Sequence, residues 1–145
     1  MLLGTYQVRF TAGHRLSVPA QLRQNLGEAC ILAKWYQGGL VLVNKSTFSA
    51  LLTRIKGEAS LITEPVRGSE YFIYTSAYEV SPDDQGRIIV PERLVAYANL
   101  GEEVYFLGMG DRAEIWNKEV WEEKEKVIAK EAPGYIEELA KKNGK

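Results

Sequence analysis

The chain has 145 residues, 46% of them hydrophobic and 26% charged, with a formal net charge of −1. That composition belongs to a globular protein with a core and excludes both a disordered chain and a polycation that coats nucleic acid indiscriminately. A single cysteine, Cys30, and a single histidine, His14, exclude an internal disulfide, a multi-cysteine zinc site and a His-rich metal centre.

In chain order, Tyr6–Phe10 predicts a strand leading into a turn at Thr11–Arg15. The β-rich run Leu16–Val18 ends at Pro19, which preorganises a short helix over Pro19–Arg23 with Gly27 as its stop. Ala29–Ala33 and Leu40–Val43 read as two strands joined by the Gln37-Gly38-Gly39 turn, and a helix closes the segment from near Ser46. Residues 57–72, with Gly57, Pro65 and Gly68, read as a linker.

The same grammar then begins again. Strand Ala77–Val80 enters the tight turn Ser81–Gly86, and the run Ile88–Val90 meets Pro91 and a second short helix stopped by Gly101. Strands Glu103–Leu107 and Glu114–Trp116 flank a glycine-bearing turn at Gly108–Asp111, and a closing helix begins near Lys118. The stretch Glu119–Lys142 predicts a helical tail interrupted at Pro133-Gly134, with Val120, Trp121, Val127, Ile128, Tyr135, Ile136 and Leu139 as its apolar side.

These two passages are copies of one pattern. Arg15, Val18, Pro19 and Leu22 match Arg87, Val90, Pro91 and Leu94 at a constant offset of 72. Further on, Leu26-Gly27-Glu28 answers Leu100-Gly101-Glu102, and Asn44-Lys45 answers Asn117-Lys118, with the offset drifting by one or two residues. The chain reads as a tandem duplication: a first repeat over 1–56, a linker over 57–72, a second repeat over 73–118 and a helical tail over 119–145. The repeats are expected to share one pseudo-two-fold core.

Charge divides unevenly between them. Residues 1–75 carry 8 Lys/Arg against 4 Asp/Glu, and residues 76–145 carry 10 against 15, so the first half allows an anionic partner, the alternative being a merely solvated charged face. No apolar run reaches the ~18 residues of a membrane span and no signal pattern opens the chain, so a soluble, cytoplasmic protein is expected. The carboxylates Asp83, Asp84, Glu102 and Glu103 fall in turns without nucleophilic or metal-binding partners, and no enzymatic site is expected.

Two copies of a turn, Gly-Arg, β-run and proline unit resemble the bacterial MraZ transcriptional regulators, within the AbrB/MazE/SpoVT-like swapped-barrel superfamily. Asp83-Asp84-Gln85-Gly86-Arg87 is similar to that family's Asp-x-x-x-Arg signature, and Glu114-Ile115-Trp116 with Trp121 to its second-repeat ending. The resemblance covers roughly residues 1–125. The first copy departs from the signature: it reads Thr11-Ala12-Gly13-His14-Arg15, keeping the arginine but placing Thr11 at the acidic position and His14 where glycine precedes it.

The resemblance implies a mainly β, double-split β-barrel with short helices, assembled as a homo-oligomeric ring. It also implies a nucleoid-associated regulator that binds short direct repeats in duplex DNA upstream of division and cell-wall genes, without cofactor, metal or small-molecule substrate. Arginine suits that task because its planar fork matches phosphate or the O6 and N7 of guanine. Arg15, His14, Arg87, Gln85, Arg9 and Arg23 are the candidate DNA-contacting residues, and Asp83, Gly86, Thr11 and Gly13 the candidate loop-shaping ones. Competing readings are that Arg15 and Arg87 form ion pairs between the repeats, that Trp35, Trp116 and Trp121 stack on single-stranded bases, and that the chain is an antitoxin-like protein-interaction module.

Overall fold

The computed structural model describes residues 1–57 and 63–144, so residues 58–62 of the expected linker lie outside the described residues. In the first half, β1 (Leu2–Thr11), β2 (Arg15–Ser17), α1 (Ala20–Leu26), β3 (Cys30–Lys34), β4 (Leu40–Asn44) and α2 (Lys45–Lys56) follow one another, and α3 (Glu64–Tyr74) comes next. The second half repeats the order as β5 (Tyr78–Val80), β6 (Arg87–Ile89), α4 (Glu92–Ala98), β7 (Glu103–Gly110), β8 (Ala113–Asn117) and α5 (Lys118–Lys142).

The strands form one antiparallel, eight-stranded near-barrel in the order β5-β3-β4-β8-β7-β1-β2-β6. Four of these seven neighbour pairs join one half to the other, so the halves interleave rather than sit side by side. Register shows the symmetry directly. Across β2 and β6, Leu16 pairs with its own repeat equivalent Ile88, flanked by Arg15 with Ile89 and Ser17 with Arg87. Across β4 and β8, Val41 pairs with Glu114, flanked by Leu40 with Ile115 and Leu42 with Ala113. A pseudo-two-fold axis therefore passes through the Leu16–Ile88 and Val41–Glu114 pairs. The longer pairing of β1 with β7 (Val8 with Val104) has its counterpart in β5 with β3 (Val80 with Cys30).

Inside the near-barrel, Leu16, Leu22, Leu32 and Leu42 from one half pack with Ile88, Leu94, Phe106 and Ile115 from the other. A second cluster lies on the outer face of β3–β4, where Ile31, Ala33, Trp35, Val41 and Val43 meet Phe48, Leu51 and Leu52 of α2 and Ile73 of α3. Both closing helices start the same way. The Asn44 side chain accepts from the Ser46 N–H and donates to the Leu26 carbonyl, and that of Asn117 accepts from the Val120 N–H and donates to the Asn99 carbonyl. The duplicated Asn-Lys in the sequence is thus a duplicated helix cap tied to the end of the preceding short helix.

Four local expectations change. The stretch read as linker holds α3, which buries Val66 and packs Ile73 against the outer face of β3–β4. The helical tail runs unbroken through Pro133 and Gly134: the lost bond to the Ala129 carbonyl falls on an exposed helix, where water can satisfy the carbonyl. Helix α4 ends on Asn99 in the left-handed conformation (φ 51°), ahead of Gly101. Gly108 lies within β7 rather than in a turn, because a Cβ there would stand 2.4 Å from the Leu3 backbone of β1.

Because Leu16 and Ile88 meet on the axis with 0% and 1% exposure, truncating either leaves a void that neither half can collapse into alone. Leu16→Ala and Ile88→Ala should each cost about 2–5 kcal/mol in chemical denaturation. Exposed Ile89→Ala should cost far less, and equal losses at all three positions would contradict the axis packing.

Candidate nucleic-acid interface

Strand alternation sorts the three-residue strands β2 and β6 into two faces. Leu16 and Ile88 point inward, leaving Arg15, Ser17, Arg87 and Ile89 on the outer face. The pseudo-two-fold places Arg15 and Arg87 diagonally across this ribbon. Both line one surface groove of about 500 Å³, together with Tyr78, Asp83, Ile89 and Pro91.

The loop before Arg87 is braced by Asp83. Its carboxylate accepts from the backbone N–H groups of Arg87 and Gln85, each at 2.9 Å, and from Arg87 Nε at 3.1 Å. The backbone closes with Asp83 N–H donating to the Arg87 carbonyl and Gly86 N–H to the Asp83 carbonyl. The Arg87 N–H is the chief cause that holds the Asp83 carboxyl below its ordinary value, with the Gln85 N–H and the Arg87 guanidinium adding to it. Only Nε of Arg87 is occupied by Asp83, so the guanidinium is oriented while its terminal nitrogens stay clear of that carboxylate.

The first loop lacks the acid but keeps a left-handed residue before its arginine. His14 takes φ 56° where Gly86 takes φ 78°. The His14 carbonyl accepts from Val90 N–H as the Gly86 carbonyl accepts from Val18 N–H, both at 2.9 Å. Gly13 adds a second left-handed residue at φ 78°, and the Thr11 hydroxyl donates to the Arg15 carbonyl at 3.1 Å. The unusual φ of His14 is supported by stacking on Phe10, with ring centroids 5.6 Å apart. Arg15 Nη1 reaches the Ala12 carbonyl at 3.4 Å, and among the described residues no carboxylate forms an ion pair with it.

The remaining candidates separate. Arg23 on α1 reaches across the repeats to the Gln85 carbonyl at 3.5 Å, and a Cβ on Gly86 would run into its guanidinium. Its repeat equivalent is Val95, so α4 carries no arginine at the corresponding position. Gln85 is exposed at the loop tip. Arg9 lies on β1, paired in register with Glu103 of β7 and off the β2–β6 ribbon. Ser17, which the sequence reading passed over, sits opposite Arg87 on the outer face; its signal was the two-residue period of a very short strand.

Two other features have structural explanations. Cys30 donates to the Leu26 carbonyl from a buried position, and burial pushes its thiol up to about 11, leaving it protonated and unreactive at neutral pH. Trp35 and Trp116 are buried and therefore offer no stacking platform to single-stranded bases. Ion pairing between the repeats through Arg15 and Arg87 is likewise not what the geometry shows, since the partner of Arg87 is Asp83 within its own loop.

Fold and site together define a class: a two-repeat interleaved β-barrel that presents a pair of arginines on its symmetry axis. The family model described as "MraZ protein, putative antitoxin-like" matches residues 73–138. The chain is 34% identical to the transcriptional regulator MraZ of Bifidobacterium longum, over 93% of this chain and 87% of that protein. It is 37% identical to the transcriptional regulator MraZ of Heliobacterium modesticaldum, over 98% and 96% respectively. The solution structure of PHS018 from Pyrococcus horikoshii covers 79% of this chain and 88% of its own at 12% identity, with a TM-score of 0.32. The chain belongs to the MraZ family of transcriptional regulators, a family that is not enzymatic. No described helix is long and apolar enough to cross a membrane.

A depressed carboxyl in the folded state stabilises the second loop above the ordinary value of 3.8, and that contribution disappears as pH falls through the lower folded value. Carboxyl NMR should show Asp83 titrating below 3.8 in the native protein and moving up in the Arg87→Ala variant. A native value at or above 3.8 would show that the loop does not form as described. Gly86→Ala, which forces a left-handed alanine and displaces Arg23, should cost about 1–2 kcal/mol in the same protein.

Proposed function

We propose that the chain binds duplex DNA specifically through the outer face of the β2–β6 ribbon, acting on short direct repeats upstream of division and cell-wall genes. The observation that carries this reading is the symmetric placement of Arg15 and Arg87 on one exposed, two-stranded ribbon beside Arg23. A major groove admits such a ribbon, and an arginine fork can read guanine there or hold phosphate. Family membership supports the regulatory role, and a cytoplasmic, nucleoid-associated location goes with that reading.

One protomer has little surplus positive charge for this work. Its net charge is −1, and Asp83, Asp84 and Glu79 lie close to the arginines. Phosphate neutralisation supplies much of the affinity of DNA-binding proteins, so a lone ribbon holds duplex weakly. A homo-oligomer, as in the ring proposed here, sets several ribbons along several repeats and multiplies modest contacts by raising the effective concentration of each. Direct repeats match that arrangement, because successive subunits meet successive copies of one sequence.

The two arginines should contribute unequally. Arg87 is oriented by Asp83 and flanked by Arg23, whereas Arg15 follows a loop without an acidic brace. Arg87→Ala should relax sequence preference by roughly 1–3 kcal/mol, as the loss of a base contact does. Arg15→Ala should weaken all duplexes alike and reduce the salt slope by about 1. Asp83→Ala should cost less than Arg87→Ala. The measurement is affinity for the chain's own upstream region and for random duplex across a salt series. Equal losses would refute the asymmetry, and wild-type binding no tighter than to random duplex would refute the function.

A further inference from the structure

The outer face of the β2–β6 ribbon carries more than its arginines. Half a turn about the pseudo-two-fold exchanges Arg15 with Arg87 and Ser17 with Ile89. The arginine pair is the same after that rotation, whereas the second pair is a hydroxyl in one half and an aliphatic chain in the other. Register sets each of these against the opposite arginine: Ile89 lies across from Arg15, and Ser17 across from Arg87. The face therefore has an apolar end and a polar end, although its backbone has neither.

Ile89 is 57% exposed on this face and lines the same surface groove as Arg15 and Arg87. A single exposed hydrophobic residue is ordinary on a protein surface. The setting of this one is not. Its backbone is held in place because the neighbouring Ile88 is buried with Leu16 on the axis. Its side chain is β-branched and stiff, so little freedom is lost when something covers it. It also shares a strand and a face with Arg87, two residues away. That spacing is about 7 Å along the strand, close to two base steps along a duplex.

We propose that Ile89 reads a thymine in the major groove by packing on its C5-methyl group, beside the base that Arg87 contacts. Of the four bases thymine alone presents a methyl there, so an aliphatic side chain selects it while the arginine fork selects guanine. The contact removes apolar surface from water on both partners, and a cytosine in that place would set Ile89 against an amine instead. Ser17 offers no such surface at the equivalent place beside Arg15, so the thymine lies on one side only of the guanine. A ribbon with matching residues would hold a site equally well after half a turn. The difference between Ser17 and Ile89 gives each subunit a direction, which sites repeated in one orientation require. The proposal rests on the DNA-binding reading above and assigns a base to one residue within it.

The experiment removes one methyl at a time. Each thymine position of the repeat unit in the chain's own upstream region is replaced in turn by deoxyuridine, which keeps the base pairing and the O4 acceptor. Binding by the full-length wild type is compared with that of Ile89→Ala, with circular dichroism to check that the variant keeps its fold. One thymine position, on one side of the guanine that Arg87→Ala ceases to discriminate, should weaken wild-type binding about fourfold for each repeat substituted. Ile89→Ala should lose at least that factor on the natural sequence, keep the wild-type salt slope and be indifferent to deoxyuridine at that position. If no deoxyuridine weakens the wild type, or if Ile89→Ala responds to it as strongly, the methyl contact is overturned. Sensitive thymines placed symmetrically about the guanine would overturn the direction. In both cases tight, Arg87-dependent binding to the upstream region leaves the ribbon standing as the DNA-contacting face. A wild type with no preference over random duplex would remove that reading and this one together.

Discussion

Neither half of this chain can satisfy its own strand edges. Strand β1 finds its long partner in β7, β3 finds β5, and the short strands β2 and β6 have each other. An unpaired edge exposes a row of backbone donors and acceptors, and in the interior those groups are costly to leave unmet. The interleaved near-barrel gives every strand a partner from the other half. Everything else hangs from it: the axis through Leu16 and Ile88, the core on one side of that ribbon, and the arginines on the other.

The axis also explains how a weak local motif becomes a site. Arg15 and Arg87 stand far apart in the chain, and each belongs to a strand of only three residues. Such strands have no stability of their own. Paired across the axis, they become a ribbon whose inner face is locked by the core and whose outer face has no choice but to present its side chains. The rigidity of the arginines comes from burial of Leu16 and Ile88 as much as from the hydrogen bonds of Asp83.

Symmetry of the backbone coexists with asymmetry of the decoration. His14 reproduces the left-handed φ of Gly86, but Gly13 adds a second left-handed residue where its equivalent Gln85 has none, so the first copy differs in the path of its loop as well as in its electrostatics. Arg23 and Val95 occupy equivalent places beside opposite loops. Gly57 and Lys130 likewise decide whether a closing helix stops or runs on. A duplicated scaffold lets one copy specialise while the other still supplies half of every strand pair.

The duplication, the proline that opens each short helix, the asparagine that caps each closing helix and the arginine at each turn were legible in the sequence, because each depends on residues close along the chain. The family resemblance rested on the same local motifs. What the sequence could not show depended on distant partners. Residues 57–72 looked like linker because they carry Gly57, Pro65 and Gly68, but Pro65 falls in the first turn of α3, where its missing N–H costs nothing, and Ile73 packs against the sheet. Gly108 looked like a turn until β1 approached it closely enough to exclude a side chain. The pairing of Leu16 with Ile88, and with it the diagonal placement of the two arginines on one face, was decided only by tertiary structure. Strand register is set by which faces become buried together, and no local preference encodes that across 72 residues.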